Sequence, residues 1–546
     1  QSAFRRGALV SAVTWLQRAA ELSPDAPARG ARLLSAAEIA FEMGRFSHVE
    51  QIKTQVAVMA LRPRDQSRLA WLEGVFDDGS SADPAEARRL VSLAGQALGA
   101  DDTDLAAQLL VGAARRSWWS DPGADVRREI VHAARQAPLS DDDPRLLAIC
   151  GLSDSHDSGP FVIGQLSGWP ADAHGDPQAA GLLGIAAFCT GDFARAVGFL
   201  STPVEALRSQ GRLSLLAEAL AIRAWAAIYL GSFDLARSAD EAMRLADETG
   251  QTLWAATARI AIAVLGAIRG RRDSDAVLLA DAERVALRAP IATSSLLAGV
   301  QLARGLAELS AARYEQAYQQ LRRVFDPGDL AFQRVQQVWT LSYLADAAVS
   351  TGRQEDARGL LATIEDLIGD DPSPGARIAL EYSRAALAED ADAEALFRVA
   401  LDGGGGRLPW HRARAELAYG TWLRRQRRVV ESRVPLRAAR GTFEALGARA
   451  WAERADQELR ATGEGGWQPT ISPSELLSPQ EAQIAQLAAR GLSNREIAQR
   501  LYLSHRTISS HLYRIFPKLG ITSRAQLAAA LGSGDELRTS GSDSVI

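Results

Sequence analysis

The sequence has very little cysteine and no long apolar run. Its 546 residues include only two cysteines, Cys150 and Cys189. These are too few for a disulfide framework, and we expect both to be buried thiols in a reducing cytoplasm. No apolar run approaches the roughly 18–20 residues that span a membrane, and no signal peptide is recognisable. We therefore expect a cytoplasmic protein that has no membrane partner.

Motifs for nucleotide binding, metal binding and catalysis are absent as well. No G-x-x-x-x-G-K-S/T loop occurs in the sequence, so the glycine loop that cradles phosphates in many ATP-binding proteins is missing. The seven histidines do not cluster, which argues against a metal site. His156, which lies between Asp154 and Asp157, is expected to be solvated rather than catalytic. We expect no enzymatic activity, no cofactor and no metal within these residues.

A recurring turn dominates residues 1–462, which are otherwise rich in the helix formers Ala, Leu and Arg. Each turn is followed by an alanine, and these alanines are spaced by 40, 40, 41 and 40 residues. The alanines are Ala196, Ala236, Ala276, Ala317 and Ala357. This period fits two helices and two turns per repeat, because glycine frees the turn and alanine lets paired helices approach closely. We predict an all-α fold built on an α-solenoid of tetratricopeptide-like repeats.

Changes in composition predict the domain boundaries. The helical repeats occupy residues 1–462 and would form a sensor or interaction domain, with a division near residues 151–180, which are rich in Ser, Asp, Gly and Pro. Residues 463–477 are expected to be a linker, and residues 478–532 a compact module. The polar end, residues 533–546, is expected to be disordered.

Four helix caps organise the module at residues 478–532. In a capping box, a serine oxygen accepts a helix amide and a Glu or Gln three residues later reaches back to the serine amide. The pairs with this spacing are Ser478 with Glu481, Ser493 with Glu496, and Ser523 with Gln526. Ser504 caps the remaining helix, with Thr507 at its third position. The module therefore consists of four short predicted helices.

Apolar spacing predicts how these helices pack. The predicted buried faces are Ile484, Leu487 and Ala488; Ile497, Ala498 and Leu501; and Ile508, Leu512 and Ile515. Only Tyr502 and Leu503 separate the second helix from the cap of the third, and two short helices joined so sharply are typical of a helix-turn-helix. Pro517 cannot donate to the carbonyl of Tyr513, so the third helix is expected to kink or stop at Phe516.

The outward face of the predicted third helix, residues 505–516, carries groups suited to base edges and phosphates. These groups are His505, Arg506, Ser509, Ser510, Tyr513 and Arg514. Residues 471–532 contain seven basic and three acidic residues, a net charge of +4, in a chain whose net charge is −5. A basic module on an acidic body is the electrostatic footprint of nucleic-acid binding. We therefore predict double-stranded DNA as a partner.

The motifs L-S-P-Q-E, G-L-S-N-R-E-I-A-Q-R-L-Y-L-S-H-R-T-I-S-S-H-L and K-L-G-I-T-S-R resemble the LuxR-type helix-turn-helix of bacterial transcription regulators. The resemblance implies a four-helix DNA-binding domain that often dimerises through its fourth helix. It implies base contacts from Ser509, Ser510 and Tyr513. The residues expected near the DNA backbone are Asn494, Arg495, Thr507, His511 and Arg514, to which we add the cations Arg506 and Lys518. Many members carry Lys or Arg in place of Ser509 and Ser510, which implies weaker or more water-mediated base readout here.

A second resemblance covers the segment that begins at Trp15 and the segment at residues 411–463. Both are similar to helical regions of the large ATP-binding regulators of the LuxR family, which place a signal-regulated ATPase first, helical repeats next and the LuxR-type module last. The chain begins with Gln1 in the middle of a helical pattern. The resemblance therefore implies either the C-terminal part of such a regulator, with an ATPase domain before Gln1, or a branch that lacks the phosphate loop.

Two features of the repeats have alternative interpretations. Six tryptophans are either the walls of a ligand pocket or core packing, and core packing is the commoner role. They are Trp118, Trp119, Trp169, Trp225, Trp254 and Trp339. The basic run at residues 424–428 is either a secondary phosphate contact or, as we favour, a solvated helix face.

These observations favour a transcription regulator that binds DNA as a homodimer on two half-sites. Its helical repeats would sense a signal, with RNA polymerase, a peptide, another protein or a small-molecule inducer as the partners left open. The alternative is a helical-repeat interaction scaffold whose DNA-binding module is secondary or vestigial. Sequence-specific DNA binding distinguishes the two hypotheses.

Overall fold

The computed structural model describes residues 9–76, 82–170, 176–271, 275–464, 477, 479–501, 503–519, 521 and 523–527. Within these residues all regular secondary structure is helical, and successive helices pack in pairs, which confirms the predicted all-α fold with solenoid-like repeats. The chain divides into two compact units, Gln1–Glu464 and Gly465–Ile546. Most of the predicted linker and all of the predicted tail lie outside the described residues.

The described part of the first unit consists of α-helices α1 to α24 joined by short turns. The helices are α1 (Leu9–Glu21), α2 (Ala26–Glu42), α3 (Phe46–Ala57), α4 (Pro63–Phe76), α5 (Pro84–Gly99), α6 (Thr103–Ser120), α7 (Ala124–Gln136), α8 (Pro144–Ser153), α9 (Gly159–Leu166), α10 (Pro177–Cys189), α11 (Phe193–Gln210), α12 (Leu213–Leu230), α13 (Ser238–Thr249), α14 (Thr252–Ile268), α15 (Asp275–Ala286), α16 (Thr293–Ser310), α17 (Tyr314–Arg322), α18 (Arg334–Thr351), α19 (Gln354–Ile368), α20 (Pro374–Leu387), α21 (Asp390–Asp402), α22 (Pro409–Arg425), α23 (Val429–Ala445) and α24 (Arg449–Ala461). Four 3₁₀ turns lie between them, at Leu235–Arg237, Pro290–Ala292, Arg323–Phe325 and Gly405–Arg407.

The described part of the second unit has three α-helices, α25 (Pro479–Ala489), α26 (Asn494–Leu501) and α27 (His505–Lys518). A 3₁₀ turn at Arg524–Gln526 follows them and leads into the helical, buried Leu527. The predicted fourth helix therefore begins where its cap predicts, and the rest of it lies outside the described residues.

Several helices of the first unit begin at an Asp-Pro or Ser-Pro pair. The side chains of Asp83, Asp143, Asp176 and Ser373 accept hydrogen bonds from backbone amides of the first helical turn, at distances of 2.9, 2.8, 3.1 and 3.3 Å. Proline suits the first helical position because its missing N–H would have no partner there. These helix starts are therefore set by local sequence.

The predicted repeat turns adopt a left-handed backbone. Their φ angles are 78° at Gly191, 75° at Gly231, 79° at Gly270, 57° at Ala312 and 75° at Gly352. Of the alanines that follow, Ala196, Ala236, Ala317 and Ala357 are buried.

The third of these turns differs from the prediction. Ala276 is exposed, and Asp275 takes the buried position instead. The turn that begins at Gly270 has one more residue before its alanine than the other four turns have. One extra residue rotates a helical position by about 100°, so the expectation for Ala276 was wrong.

Glycines inside the helices bring paired helices together. A Cβ atom on Gly184 would lie 2.5 Å from the Leu200 side chain, and one on Gly305 would lie 2.4 Å from that of Leu321. The same arrangement recurs where Gly420 faces Leu436 at 2.6 Å. The close approach of paired helices thus depends on glycine facing leucine as well as on alanine.

Helices far apart in sequence also touch within the first unit. The Ser295 hydroxyl donates to the Trp119 carbonyl across 176 residues (3.1 Å), and the His411 Nε2 atom lies 2.6 Å from the Tyr229 carbonyl across 182 residues. Arg212 pairs with Glu42 at 2.8 Å. Such contacts recur at a similar sequence separation, so successive turns of the solenoid pack directly on each other.

The predicted interruption at residues 151–180 contains the short helix α9. Leu152 of α8 and Val162 of α9 belong to the same hydrophobic cluster as Leu183 of α10. The core therefore continues through this stretch, of which residues 171–175 lie outside the described part.

One described helix, α12, is long and apolar enough to cross a membrane, with a mean hydropathy of 1.5. The expectation that no apolar run approaches this length was therefore wrong for residues 213–230. However, 72% of the helix is buried inside the first unit, as expected for a core helix that packs on several sides. Cys150 and Cys189 are free and buried, as predicted, and burial raises the pKa of Cys150 to about 11.

Candidate nucleic-acid interface

Local capping positions the helices of the second unit. The amide of Ser493 donates to the Glu496 carboxylate (2.7 Å), and the amide of Glu496 donates to the Ser493 hydroxyl (3.3 Å). The corresponding box joins Ser523 and Gln526. Both predicted capping boxes are confirmed, while the third, at Ser478, lies outside the described residues.

The three helices surround one small core. The predicted apolar positions of α25, α26 and α27 are buried, except that Leu501 is half-buried. Ser504 caps α27 by accepting the Thr507 amide at 3.1 Å, and only two residues separate it from the end of α26. This is the predicted helix-turn-helix arrangement.

Helix α27 runs through Pro517 and ends at Lys518, so the predicted stop at Phe516 was wrong, while the alternative of a kink there stays a prediction. Proline removes a single amide bond, to the carbonyl of Tyr513. That residue is 81% exposed, so water can satisfy the carbonyl at little cost. The helix is closed by the Leu519 amide, which donates to the Ile515 carbonyl at 3.0 Å.

The outer face of α27 projects polar and cationic side chains into solvent. Ser510, Tyr513 and Arg514 are exposed, as are His505 and Arg506 at the start of the helix. Contact between an aromatic ring and water is unfavourable compared with packing of the ring against other side chains. An exposed tyrosine of this kind is therefore typical of a contact surface. Two of the three predicted base-contact residues, Ser510 and Tyr513, are thus directly accessible.

The third predicted base-contact residue, Ser509, belongs to a hydrogen-bond network. Its hydroxyl donates to the His505 carbonyl (3.1 Å) and accepts from the Asn494 amide group (3.1 Å). Asn494 in turn accepts from Arg524 at 2.6 Å, and Arg524 also donates to the Leu492 carbonyl. This network joins α26, α27 and the start of the fourth helix.

The network changes how two predicted site residues can act. Asn494 is half-buried and has both ends of its amide engaged, so its structural part is to hold α27 in register with α26. Arg524 was not among the predicted site residues, since nothing in the local sequence indicates its partners. The DNA contacts of Ser509 and Asn494 stay predictions.

Thr507 and His511 are both half-buried on α27. The Thr507 hydroxyl bonds the Ser504 hydroxyl at 2.7 Å and so takes part in the cap. The Nδ1 atom of His511 is buried and has no hydrogen-bond partner among the described residues. Their predicted backbone contacts are not excluded by these positions and stay predictions.

The basic residues of the second unit fall into two groups. Lys518 pairs with Glu481 at 2.7 Å, and the Glu481 side chain is only 9% exposed, so this lysine neutralises a buried carboxylate. Five exposed arginines form no ion pair with a described residue. They are Arg490, Arg495, Arg500, Arg506 and Arg514. Uncompensated arginines on a small domain are well suited to phosphate contacts.

Two other predicted features lie in the first unit. His156 is half-buried, and burial lowers its pKa to about 4, so it was wrongly expected to be solvated. In the basic run, Arg424 pairs with Glu458 and Arg428 with Glu394, each at 2.6 Å. The run is therefore partly neutralised, which weakens the phosphate-contact alternative.

Comparison with known proteins agrees with the geometry of the second unit. Residues 475–531 match the family described as bacterial regulatory proteins, luxR family. The C-terminal module is therefore a LuxR-family helix-turn-helix domain, the class that the sequence resemblance indicated.

Relatives match a short part of the chain. A protein of Mycobacterium tuberculosis named as an HTH-type transcriptional regulator is 40% identical over 94 residues, which are 16% of this chain and 11% of the relative. The transcriptional regulator GfsR of Streptomyces halstedii is 45% identical over 73 residues, 13% of this chain and 29% of the relative. The oxygen regulatory protein NreC of Staphylococcus aureus is 40% identical over 58 residues, 11% and 27% respectively. The matched segments thus cover between 11% and 29% of the lengths of these relatives.

Proposed function

We propose that this protein is a sequence-specific DNA-binding transcription regulator that acts in the cytoplasm. The observation that carries the proposal is the surface of α27. One face is buried through Ile508, Leu512 and Ile515, while the opposite face exposes Ser510 and Tyr513. A helix held in this way by a preceding short helix fits the major groove, where base edges carry a distinct pattern of donors and acceptors.

In this proposal the protein binds two DNA half-sites as a homodimer. Tyr513 and Ser510 contact base edges, with Ser509 adding readout through water. The exposed arginines, of which Arg506 and Arg514 lie on α27 itself, contact phosphates on either side of the groove. The network of Asn494 and Arg524 keeps α27 at a fixed angle to α26, so the base contacts are pre-organised.

The helical repeats of the first unit sense a signal or a protein partner and control the second unit. Solenoids present extended inner surfaces to peptides, proteins or small molecules, and RNA polymerase is a further partner for an activator. The resemblance to large ATP-binding regulators supports this division of labour. The match to relatives named as transcriptional regulators supports the output.

Selection of genomic DNA fragments tests the proposal. Residues 1–546 and residues 471–546 would each be used at about 150 mM salt, where phosphate contacts alone are weak. Enrichment of one paired motif by both proteins is expected and would give the half-site spacing. Enrichment by residues 471–546 alone would mean that the repeats restrain the module. Enrichment by neither would refute the regulator and favour the interaction scaffold.

A further inference from the structure

The first unit contains a cavity whose walls are mostly apolar and include seven aromatic rings. Its lining comes from α6, α8, α10, α12, α14, α16 and α18, which are alternate helices of successive repeats. Five of the six tryptophans considered in the sequence analysis meet here, namely Trp118, Trp119, Trp225, Trp254 and Trp339. Trp169 lies elsewhere. We call this space the aromatic cavity.

The rings form two groups, the pair of Trp119 with Trp254 and a larger group around Tyr229. Trp119 meets Trp254 edge-on with centroids 5.5 Å apart. Trp225 and Trp339 each lie 5.7 Å from the ring of Tyr229. Trp225 is buried and donates its indole N–H to the Thr257 carbonyl at 3.2 Å. The other four tryptophans remain half-buried, so their rings have free surface at the cavity.

Few polar groups interrupt this wall, and their charges balance. Arg115 forms an ion pair with Glu218 at the lining. The Gln336 amide donates to the Ser295 carbonyl at 2.8 Å. Among the described residues, the charged side chains of the lining are one guanidinium and one carboxylate that neutralise each other, so these residues present no net charge to a ligand.

The aromatic cavity is a partly open pocket with a volume of about 100 Å³. Ring surface that lines such a pocket contacts water instead of other side chains, so an apolar ligand would remove this surface from water and add dispersion contacts. Apolar cavities of comparable size take up single-ring molecules, and ligand sites combine apolar walls with a few fixed polar groups.

We propose that the aromatic cavity binds a compact, neutral, planar apolar molecule of one or two fused rings. Planarity follows from the edge-on and tilted rings, which offer both faces and edges for stacking. Neutrality follows from the balanced Arg115–Glu218 pair, since a ligand charge would be desolvated here without a partner. The ligand's single hydrogen-bonding group would meet Gln336 or the Arg115–Glu218 pair.

The location gives such a ligand a route to affect the whole first unit. A Cβ atom on Gly191 would lie 2.6 Å from the Trp339 ring, so this wall residue touches a turn of another repeat. Ser295 bonds the backbone of Trp119 from the next turn of the solenoid. A ligand held between these residues would bridge successive solenoid turns. Its role as the signal that controls DNA binding rests on the proposed function; its binding does not.

The test uses 5-fluoroindole as the probe and the full chain without DNA. Binding is followed by the ¹⁹F NMR line width of the probe. Saturable broadening at one site is expected for the native protein. Fluorinated indole-3-acetate and fluorinated tryptamine attach a negative and a positive side chain to the same ring system. Each is expected to bind at least about tenfold more weakly than 5-fluoroindole.

Variants locate the site. Thr257→Trp fills the lining and Trp254→Leu removes one wall; each is expected to weaken 5-fluoroindole binding about tenfold or more. Trp169→Leu is the matched control, because Trp169 is also half-buried and packs on the neighbouring core without lining the cavity. It is expected to leave binding unchanged. Circular dichroism melts of each variant confirm that the fold persists.

Three results would overturn the proposal: no saturable binding by the native chain, equal binding by both folded cavity variants, or tighter binding of either charged analogue. The DNA selection is independent of this test. Probe binding without DNA enrichment would remove the regulator and leave the cavity site, and DNA enrichment without probe binding would do the reverse.

Discussion

The two groups of basic residues in the second unit lead to opposite expectations for Arg506→Ala and Lys518→Ala. Arg506 is exposed and has no ion-pair partner among the described residues. Lys518 is paired with Glu481 at 2.7 Å. Removing Arg506 should therefore cost phosphate contacts, whereas removing Lys518 should cost domain stability.

The magnitude for Arg506→Ala follows from counterion release. Each phosphate contact adds about 0.9 to the slope of log K against log salt concentration. Loss of one contact per subunit lowers the slope for a dimer by about 1.8. Between 50 and 200 mM salt, the factor by which the variant loses affinity should therefore be roughly twelve times smaller than the factor for the native protein. The loss of affinity at any one salt concentration should be similar for specific and non-specific DNA.

Lys518→Ala instead removes the cation that pairs with the Glu481 carboxylate, whose side chain is 9% exposed. Losing a charged hydrogen-bond partner of a buried carboxylate costs about 1–3 kcal/mol, so the thermal midpoint of the second unit should fall while the salt slope stays unchanged. Fluorescence anisotropy at four salt concentrations and thermal melts measure both quantities. Equal slope changes in the two variants, or an unchanged slope for Arg506→Ala, would refute this assignment of the cations.

Further predictions concern base readout, backbone strain and pH. Tyr513→Ala should relax base preference at one position of the selected motif with little change in salt slope, as measured by repeating the selection. Gly231→Ala should destabilise the first unit about 1–3 kcal/mol more than Gly211→Ala in thermal melts. Both glycines have positive φ, but a Cβ on Gly231 would lie 2.4 Å from Trp410 whereas Gly211 faces open space. Burial lowers the pKa of His411 to about 4, below the unfolded value near 6.5. The contribution of neutral His411 to the free energy of unfolding is therefore complete above about pH 6.5 and is lost as the pH falls toward 4, by up to about 3 kcal/mol. His411→Gln should reduce this acid-dependent loss of stability, as measured by thermal melts across the same pH range.

Features determined by near neighbours in sequence were predictable. The capping boxes at Ser493 and Ser523, the buried stripe of α27 and the left-handed repeat turns all depend on residues within one helical turn of each other. The exception at Ala276 comes from one extra residue in its turn. Even this departure was legible in the sequence, because Ala276 comes six residues after the start of its turn and the other four alanines come five residues after theirs.

Features that join distant residues were not predictable. Nothing local to Lys518 indicates that Glu481 neutralises it, and nothing local to Arg524 indicates Asn494 as its partner. The same holds for the packing of successive solenoid turns. The tryptophans show the same limit. The sequence left open whether they line a pocket or pack in the core, and only the fold determines which of their rings lie near each other.

The central claim is that the outer face of α27 reads base edges in the major groove. Site-specific photo-crosslinking tests this claim. The full chain carrying Tyr513→p-benzoylphenylalanine is bound to the selected DNA motif and irradiated. Gln499→p-benzoylphenylalanine, on the exposed side of α26, is the control. We expect crosslinks from position 513 to bases at one defined place in each half-site, and none to bases from position 499. Crosslinks from position 513 that are absent, or scattered along the DNA without a preferred base, would contradict it.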